Sequence, residues 1–157
     1  MAVRVGMGFD VHAFSEDPTR KLVLGGVELA GERGLAGHSD ADVIAHAVAD
    51  ALLGAAGLGD LGDHFPDRDP AWADADSLML LARVVEQLQA GGWRAANVDC
   101  VVVLEAPRLA PHRSTMQERL GAVVGAPVSV KATTMEGLGA LGRGEGVACW
   151  AVALVEA

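Results

Sequence analysis

Two kinds of apolar pattern follow one another along this chain, and their order limits the possible folds more than any other feature. Continuous or alternating apolar runs predict strands, whereas apolar residues three, four and seven positions apart predict helices. The strand pattern occupies Val3–Phe9, Lys21–Leu24, Val27–Leu29, Val98–Leu104, Val128–Thr133 and Val147–Val155. The helix pattern occupies Asp40–Ala56, Ser77–Ala90 and a segment that begins at Pro111. This order predicts an α+β sandwich, in which helices pack on one face of a mixed β-sheet, ferredoxin-like in general layout.

Turn and cap signals set the expected boundaries of these elements. Gly25-Gly26 predicts a two-residue hairpin between the second and third strands. Ser39, followed three residues later by Asp42, is a candidate capping box for the first helix. Pro111 suits the first position of the third helix, where no backbone N–H is needed. No repeat or linker interrupts the pattern, so we expect residues 1–157 to form a single domain.

The charge and composition of the chain exclude several functions. The formal net charge of −9 would repel nucleic acid, and no basic stripe compensates for it. No apolar run reaches the roughly 18 residues of a membrane helix. The N-terminus lacks signal-peptide architecture, so we expect a cytoplasmic protein that does not bind membranes. Cys100 and Cys149 are too far apart for a zinc knuckle or a redox motif, and we expect two buried thiols.

The segment G-F-D-V-H carries two potential metal ligands on one strand face. Residues two apart on a strand point the same way, so Asp10 and His12 would project together. His46 lies beside the apolar face of the first helix and, taken alone, would be a half-buried core histidine. Together the three side chains form a plausible zinc set with one open position. Asp42 or Asp50, one helical turn to either side, could fix the tautomer of His46 through its far ring nitrogen.

Other segments could bind phosphate or a base, although each also has an ordinary structural role. In H-S-D-A-D, the residues Ser39, Asp40 and Asp42 suit a helix cap, which leaves His38 free to reach a mobile phosphate. In K-A-T-T-M-E-G, Glu136 offers a hard oxygen for Mg²⁺ or Mn²⁺, but a strand that ends in a turn is the simpler explanation. The loops E-A-P-R-L-A-P and L-G-R-G-E-G could wrap a base and meet an anion, or could be plain connections.

Taken together, these motifs resemble one family over essentially the whole chain, the 2-C-methyl-D-erythritol 2,4-cyclodiphosphate synthases of the non-mevalonate isoprenoid pathway. The matching segments are G-F-D-V-H-A-F, G-L-A-G-H-S-D-A-D-V-I-A-H-A-V-A-D-A-L-L-G-A, G-D-L-G-D-H-F-P-D, A-P-R-L-A-P-H, K-A-T-T-M-E-G-L-G and G-R-G-E-G. The resemblance implies a phosphorus–oxygen lyase that cyclises 4-diphosphocytidyl-2-C-methyl-D-erythritol 2-phosphate. The 2-phosphate would attack the β-phosphorus of the diphosphate, and CMP would leave.

The resemblance also implies which residues bind metal. Asp10, His12 and His46 would hold one Zn²⁺ per subunit. Glu136 would bind a Mg²⁺ or Mn²⁺ that bridges the diphosphate.

Catalytic and substrate-binding roles carry over in the same way. His38 and Thr134 match residues assigned to transition-state stabilisation. The same two residues also match substrate contacts, and so do Asp10, His12 and Glu136. The other matches to substrate contacts are Val11, Ser39, Asp60, Leu61, Gly62, Phe65, Pro66, Asp67, Arg68, Asp69, Leu104, Glu105, Ala106, Pro107, Arg108, Leu109, Ala110, Thr133, Met135, Ala140 and Arg143. Among them, residues 60–62 match a ribose-binding segment, residues 65–69 a methylerythritol loop and residues 104–110 a cytosine pocket.

The family resemblance further implies an assembly. Its members are homotrimers with active sites between subunits and an apolar central channel reported to hold isoprenoid diphosphates. This chain departs from the family at Ala140, where an aromatic residue is frequent, and at Arg108, where lysine is common. Two alternatives stay open, a zinc phosphohydrolase that activates water and a non-catalytic trimeric binder of isoprenoid diphosphates.

Overall fold

The computed structural model describes all residues from 1 to 157 and contains six strands and five helices. The strands are β1 (Val3–Ala13), β2 (Leu22–Leu24), β3 (Val27–Leu29), β4 (Arg94–Val103), β5 (Val128–Thr133) and β6 (Gly146–Glu156). The helices are α1 (Val43–Ala56), α2 (Leu61–His64), α3 (Ser77–Ala90), α4 (Arg113–Val124) and α5 (Gly139–Gly142), and a 3₁₀ turn covers Pro70–Trp72. None of the helices combines the length and the apolar content that a bilayer crossing requires.

A four-stranded mixed sheet in the order β1-β6-β4-β5 forms one layer of the fold, and β2 pairs with β3 in a separate hairpin. Strand β6 runs antiparallel to both of its neighbours, whereas β4 and β5 are parallel. Helix α4 connects the two parallel strands, which need a crossover of this kind. The core lies between the sheet and the helices α1, α3 and α4. The predicted α+β sandwich with helices on one sheet face is therefore confirmed.

Two glycines on β1, Gly6 and Gly8, let helix α1 lie directly against the strand backbone. A Cβ atom at Gly8 would stand 2.0 Å from the carbonyl oxygen of Ala47, closer than any side chain allows. Only glycine permits this approach of helix to strand. The next residue on the same face of β1 is Asp10. Because α1 lies so close, its residue His46 meets the Asp10 side chain.

Helix α1 begins at Val43 rather than at Asp40, and its N-cap is Asp42 instead of the predicted Ser39. The buried Asp42 carboxylate accepts hydrogen bonds from two N–H groups of the first helical turn and from both glycines of the β2–β3 hairpin. One carboxylate that satisfies four donors caps better than a hydroxyl can. The Ser39 hydroxyl accepts from the N–H of Ala41 instead, so the predicted capping box was wrong.

Other boundaries also differ from the sequence expectation, among them the start of β4 at Arg94 rather than at Val98. Helix α4 begins at Arg113, so Pro111 is not its first residue. The backbone N–H of His112 donates to the carbonyl oxygen of Leu109, and this turn delays the helix. Strand β1 continues to Ala13, past its predicted end, because β6 pairs with it along its whole length.

The two cysteines are free, buried thiols on the neighbouring strands β4 and β6, as predicted. A hydrogen bond with Cys100, together with burial, raises the pKa of the Cys149 thiol. A thiol that stays protonated is a poor nucleophile, so this pair belongs to the packing of the core.

The sheet face opposite the helices is apolar and open. Val5, Met7 and Phe9 of β1 point to this side and are 65%, 70% and 45% exposed. Trp150 and Val152 of β6 extend the patch, and the ring centroids of Phe9 and Trp150 lie 4.6 Å apart. We call these five residues the apolar sheet face. Contiguous exposed apolar surfaces of this kind are typical of protein interfaces and ligand-binding grooves.

Candidate functional site

Asp10, His12 and His46 converge at the contact between β1 and α1, and we call them the ligand triad. The Oδ2 atom of Asp10 lies 3.0 Å from Nδ1 of His46 and 3.1 Å from Nε2 of His12. One ligand atom from each side chain falls within 4.8 Å of the others. Burial opposes ionisation of Asp10, but hydrogen bonds with His12 and His46 lower its pKa well below the ordinary range. The triad therefore presents a carboxylate and two imidazoles to one point.

Hydrogen bonds outside the triad fix the orientation of both rings. Nδ1 of His12 lies 2.7 Å from the carbonyl oxygen of Ala36, which can only accept, so this nitrogen carries the proton. Nε2 of His46 lies 2.7 Å from Oγ of Ser77 and 3.2 Å from Oγ of Ser39. These outer contacts leave Nε2 of His12 and Nδ1 of His46 facing the Asp10 carboxylate, where a metal ion that displaces their protons would meet both ring nitrogens.

The outer partner of His46 is Ser77 at the start of α3, not either of the predicted aspartates. Asp42 is engaged as the cap of α1, and Asp50 accepts a hydrogen bond from the backbone N–H at the start of α2. The Ser77 hydroxyl donates in turn to Asp40, which also accepts the Ser77 backbone N–H at 3.0 Å. Sequence spacing could not find this contact, because 31 positions separate His46 from Ser77. The only local signal was the position of this serine at a predicted helix start.

The donor set of the triad fits a divalent metal ion. Two neutral imidazoles and one carboxylate are the ligands of many catalytic metal sites that keep one position open. Asp10 and His46 of the triad line a cavity of about 240 Å³, together with the predicted residues 60–62. The structure therefore brings the triad together with this segment, and leaves space for a ligand beside them. The lining residues are Phe9, Asp10, His46, Asp50, Asp60, Leu61 and Gly62.

We expect the Ser77→Ala variant to bind a divalent metal about 10- to 100-fold more weakly, because His46 loses the partner that holds its ring. Titration with Co²⁺ or Zn²⁺ against a competing chelator measures the change. Ser129→Ala is the matched control, since that exposed hydroxyl bonds only to Asp99. Equal metal affinity in the Ser77→Ala variant and the unaltered protein would contradict the assignment of Ser77.

The predicted phosphate residues lie next to the triad, on the loop Leu35–Ser39, which we call the site loop. Ser39 is buried against His46. Nε2 of His38 lies 2.9 Å from the carbonyl oxygen of Asp69, so the site loop touches the predicted 65–69 segment. The side chain of Val11, by contrast, points to the other face of the sheet.

A second group of predicted residues gathers at the β5 edge of the sheet. It surrounds a cavity of about 210 Å³, which we call the β5-edge cavity. The cavity is lined by Leu104, Glu105, Pro107, Arg108, Leu109, Ala110, Arg113, Ala132, Thr133 and Thr134. The carboxylate of Glu105 accepts the N–H of Met135 at 2.8 Å, which joins the 104–110 loop to the turn after β5. Only Arg113 and Ala132 were missed by the sequence analysis.

Glu136 and the α5 residues lie outside both cavities. Glu136 has a φ of 53°, in the left-handed region that side chains rarely adopt, and such strain is common at functional positions. Ala140 lies within α5, and Arg143 follows it with Nε 2.6 Å from a carboxylate oxygen of Glu145.

One copy of the chain does not bring its two groups of site residues together. The triad lies on β1 and the β5-edge cavity lies beside β5, at opposite edges of the sheet. Three strand spacings separate these edges, a distance of about 14 Å.

Comparison with known proteins identifies relatives over nearly the whole chain. The model of the YgbB family matches residues 3–156. A relative named 2-C-methyl-D-erythritol 2,4-cyclodiphosphate synthase, from Rubrobacter xylanophilus, is 58% identical over 98% of this chain and 94% of its own. A solved synthase of the same name, in a CDP-bound form, has a TM-score of 0.87 and 35% identity, over 98% of this chain and all of the other. The solved structure of the bifunctional IspDF from Campylobacter jejuni has a TM-score of 0.93 and 39% identity. This match covers 98% of the present chain but only 42% of that protein.

Proposed function

The chain belongs to the YgbB family, and we propose from this membership that it performs the reaction for which its relatives are named. The substrate would be 4-diphosphocytidyl-2-C-methyl-D-erythritol 2-phosphate. Its 2-phosphate oxygen bonds to the β-phosphorus of the diphosphate while the bond from that phosphorus to the CMP oxygen breaks. The products are 2-C-methyl-D-erythritol 2,4-cyclodiphosphate, an isoprenoid precursor, and CMP.

The observation that carries this proposal is the ligand triad, whose two rings are held by outer hydrogen bonds and whose Asp10 and His46 line an open cavity. We propose Zn²⁺ as the ion, because its common catalytic sites combine imidazole and carboxylate ligands with one open position. A bound ion supplies positive charge that offsets the repulsion between two phosphates. A chain with a net charge of −9 needs such a cation to accept this substrate.

The residues of the chain itself would orient the substrate and stabilise the developing charge. His38, next to the triad, and Thr134, at the β5-edge cavity, are the proposed stabilising residues. Asp60, Leu61 and Gly62 would meet the ribose, and residues 104–110 would enclose the cytosine. Alignment of two groups within one pocket supports an intramolecular reaction strongly, with effective molarities of about 10⁵ M or more.

We further propose a homotrimer in which neighbouring copies complete each active site. Two observations support it: the apolar sheet face is exposed, and the triad and the β5-edge cavity lie at opposite sheet edges in one copy. The apolar sheet face would line a central channel, for which an isoprenoid diphosphate is the proposed ligand. Sedimentation analysis should give three times the chain mass of 16.1 kDa.

We propose the cytoplasm as the compartment of this protein. Its two cysteines are free, buried thiols, which suit a reducing environment.

The Glu136→Gln variant tests the second metal. We propose that the Glu136 carboxylate binds the Mg²⁺ or Mn²⁺ that bridges the diphosphate, so its loss should raise the half-saturating concentration of that metal about tenfold. Zn²⁺ content should stay unchanged, because the triad is intact. Glu118→Gln, at an exposed position on α4, is the matched control. An unaltered metal requirement would remove Glu136 from this role.

Product analysis tests the reaction. The chain is incubated with the diphosphocytidyl substrate and Mg²⁺, and chromatography with ³¹P NMR follows the products. CMP together with a cyclic diphosphate supports the proposal. Inorganic phosphate or a linear ester would identify a zinc phosphohydrolase instead. An absence of turnover in a trimer that retains isoprenoid diphosphate would identify a non-catalytic binder.

A further inference from the structure

Arg20, in the segment before β2, holds the site loop through three backbone carbonyls. Its Nε donates to the carbonyl oxygen of Leu35 at 2.7 Å, and its Nη2 donates to those of Gly37, at 3.0 Å, and Ser39. The Arg20 side chain is only 19% exposed. The three acceptors belong to alternate residues of a loop that bends at residues 37–39, and one planar guanidinium contacts them all. A rigid fork of donors suits this arrangement, and a single ammonium group cannot reproduce it.

The same loop supplies one outer partner to each imidazole of the triad, and Ser77 on α3 is the second outer partner of His46. The carbonyl oxygen of Ala36 accepts the Nδ1–H of His12 at 2.7 Å. The Ser39 hydroxyl lies 3.2 Å from Nε2 of His46. His38, between them, carries the imidazole that contacts the 65–69 segment. The path of this loop therefore helps to set the orientation of three imidazoles, together with Ser77 in the case of His46.

We propose that Arg20 is a positioning residue for the ligand triad. It touches no ligand atom itself, and it acts by holding the carbonyl of Ala36 and the hydroxyl of Ser39 where His12 and His46 need them. Loss of the guanidinium lets the site loop relax, both rings lose a fixed hydrogen-bond partner, and the ligand atoms spread. This inference rests on the proposed function, because it assigns Arg20 to the same metal centre.

The carbonyl bonds carry this role, not the ion pair that Arg20 also makes. Nη1 of Arg20 lies 3.6 Å from a carboxylate oxygen of Asp74, whose side chain is 89% exposed. An exposed ion pair of this length contributes little to stability. An Asp74→Asn variant keeps the backbone N–H of residue 74, which donates to the carbonyl oxygen of His38. This variant should therefore bind metal as the unaltered protein does.

The test compares the Arg20→Gln variant with Arg83→Gln, a matched substitution at an exposed position on α3. Co²⁺ titration gives the metal affinity, and the visible absorption of bound Co²⁺ reports the geometry of the centre. We expect Arg20→Gln to bind Co²⁺ about 10- to 100-fold more weakly and to shift the absorption bands. Arg20→Lys keeps the charge but cannot span three carbonyls, and it should also weaken binding. Arg83→Gln should change neither reading.

The outcomes separate this inference from the proposed function. Failure of the unaltered chain to bind Co²⁺, or full binding by His46→Ala, would count against the proposed metal centre. Normal affinity and an unshifted spectrum in folded Arg20→Gln, with binding intact in the unaltered chain, would overturn the role of Arg20 alone. Where Arg20→Gln does not fold, the Arg20→Lys titration decides, since affinity equal to that of the unaltered chain would overturn the proposal.

Discussion

The His46→Ala variant should lose both the binding of the proposed Zn²⁺ and its turnover while it keeps its fold. Removal of one imidazole leaves two ligands, Asp10 and His12, which cannot hold the ion at ordinary concentrations. The metal charge stabilises the transition state by several kcal/mol, so we expect the rate to fall by about 10³-fold or more. Metal analysis of the purified variant and the CMP assay measure the two losses.

A folding measurement and a control variant test whether these losses come from the missing metal ligand. Circular dichroism and thermal unfolding should show a folded protein, because His46 is not among the 39 buried residues of the apolar core. His112→Ala is the matched control for metal binding, since that side chain caps no helix and lies outside the triad. Full activity in metal-free His46→Ala protein would refute the metal-dependent mechanism.

The Gly8→Ala variant should damage stability and the site together. Its new Cβ would stand 2.0 Å from the carbonyl oxygen of Ala47, so α1 must retreat by about 1 Å to reach even the 3.0 Å limit. Overpacking of this kind costs about 2–3 kcal/mol of unfolding free energy, and a chain of this size then melts about 5–10 °C lower. The retreat also moves His46 away from Asp10, so metal affinity should fall in the same variant.

Gly54→Ala is the matched control, because Gly54 lies on α1, the helix that packs against Gly8. The nearest atom to its added Cβ is the carbonyl oxygen of Met7 at 3.8 Å, which is an ordinary contact. Alanine is about 1 kcal/mol more favourable than glycine inside a helix, so this variant should melt at a higher temperature. An unchanged melting temperature and metal affinity in Gly8→Ala would show that α1 does not depend on this close approach.

Local rules were sufficient for the parts of the site that lie within one element. Alternation along β1 places Asp10 and His12 on one face whatever the strand packs against. Helical spacing likewise put His46 at the edge of an apolar face. That these two elements meet depends on the bare backbone at Gly6 and Gly8, and no periodicity predicts which helix a strand receives.

Local sequence patterns do not reveal contacts between residues that are distant in the chain. Asp42 replaced Ser39 as the cap because the hairpin glycines bring two extra donors to its carboxylate. Ser77 replaced the predicted aspartates beside His46 because the packing of α3 on α1 delivers its hydroxyl there. Hydrogen bonds of this kind are set by tertiary packing, which local spacing does not contain.

The placement of the triad and the β5-edge cavity at opposite edges of one sheet has a genetic consequence. In the proposed trimer every copy serves two catalytic centres, giving its histidines to one and its threonines to the next. A substitution at one sheet edge of a copy inactivates the centre to which that edge contributes and leaves the other centre active. Two inactive alleles with lesions at opposite edges would therefore complement each other in mixed trimers, whereas two alleles with lesions at the same edge would not.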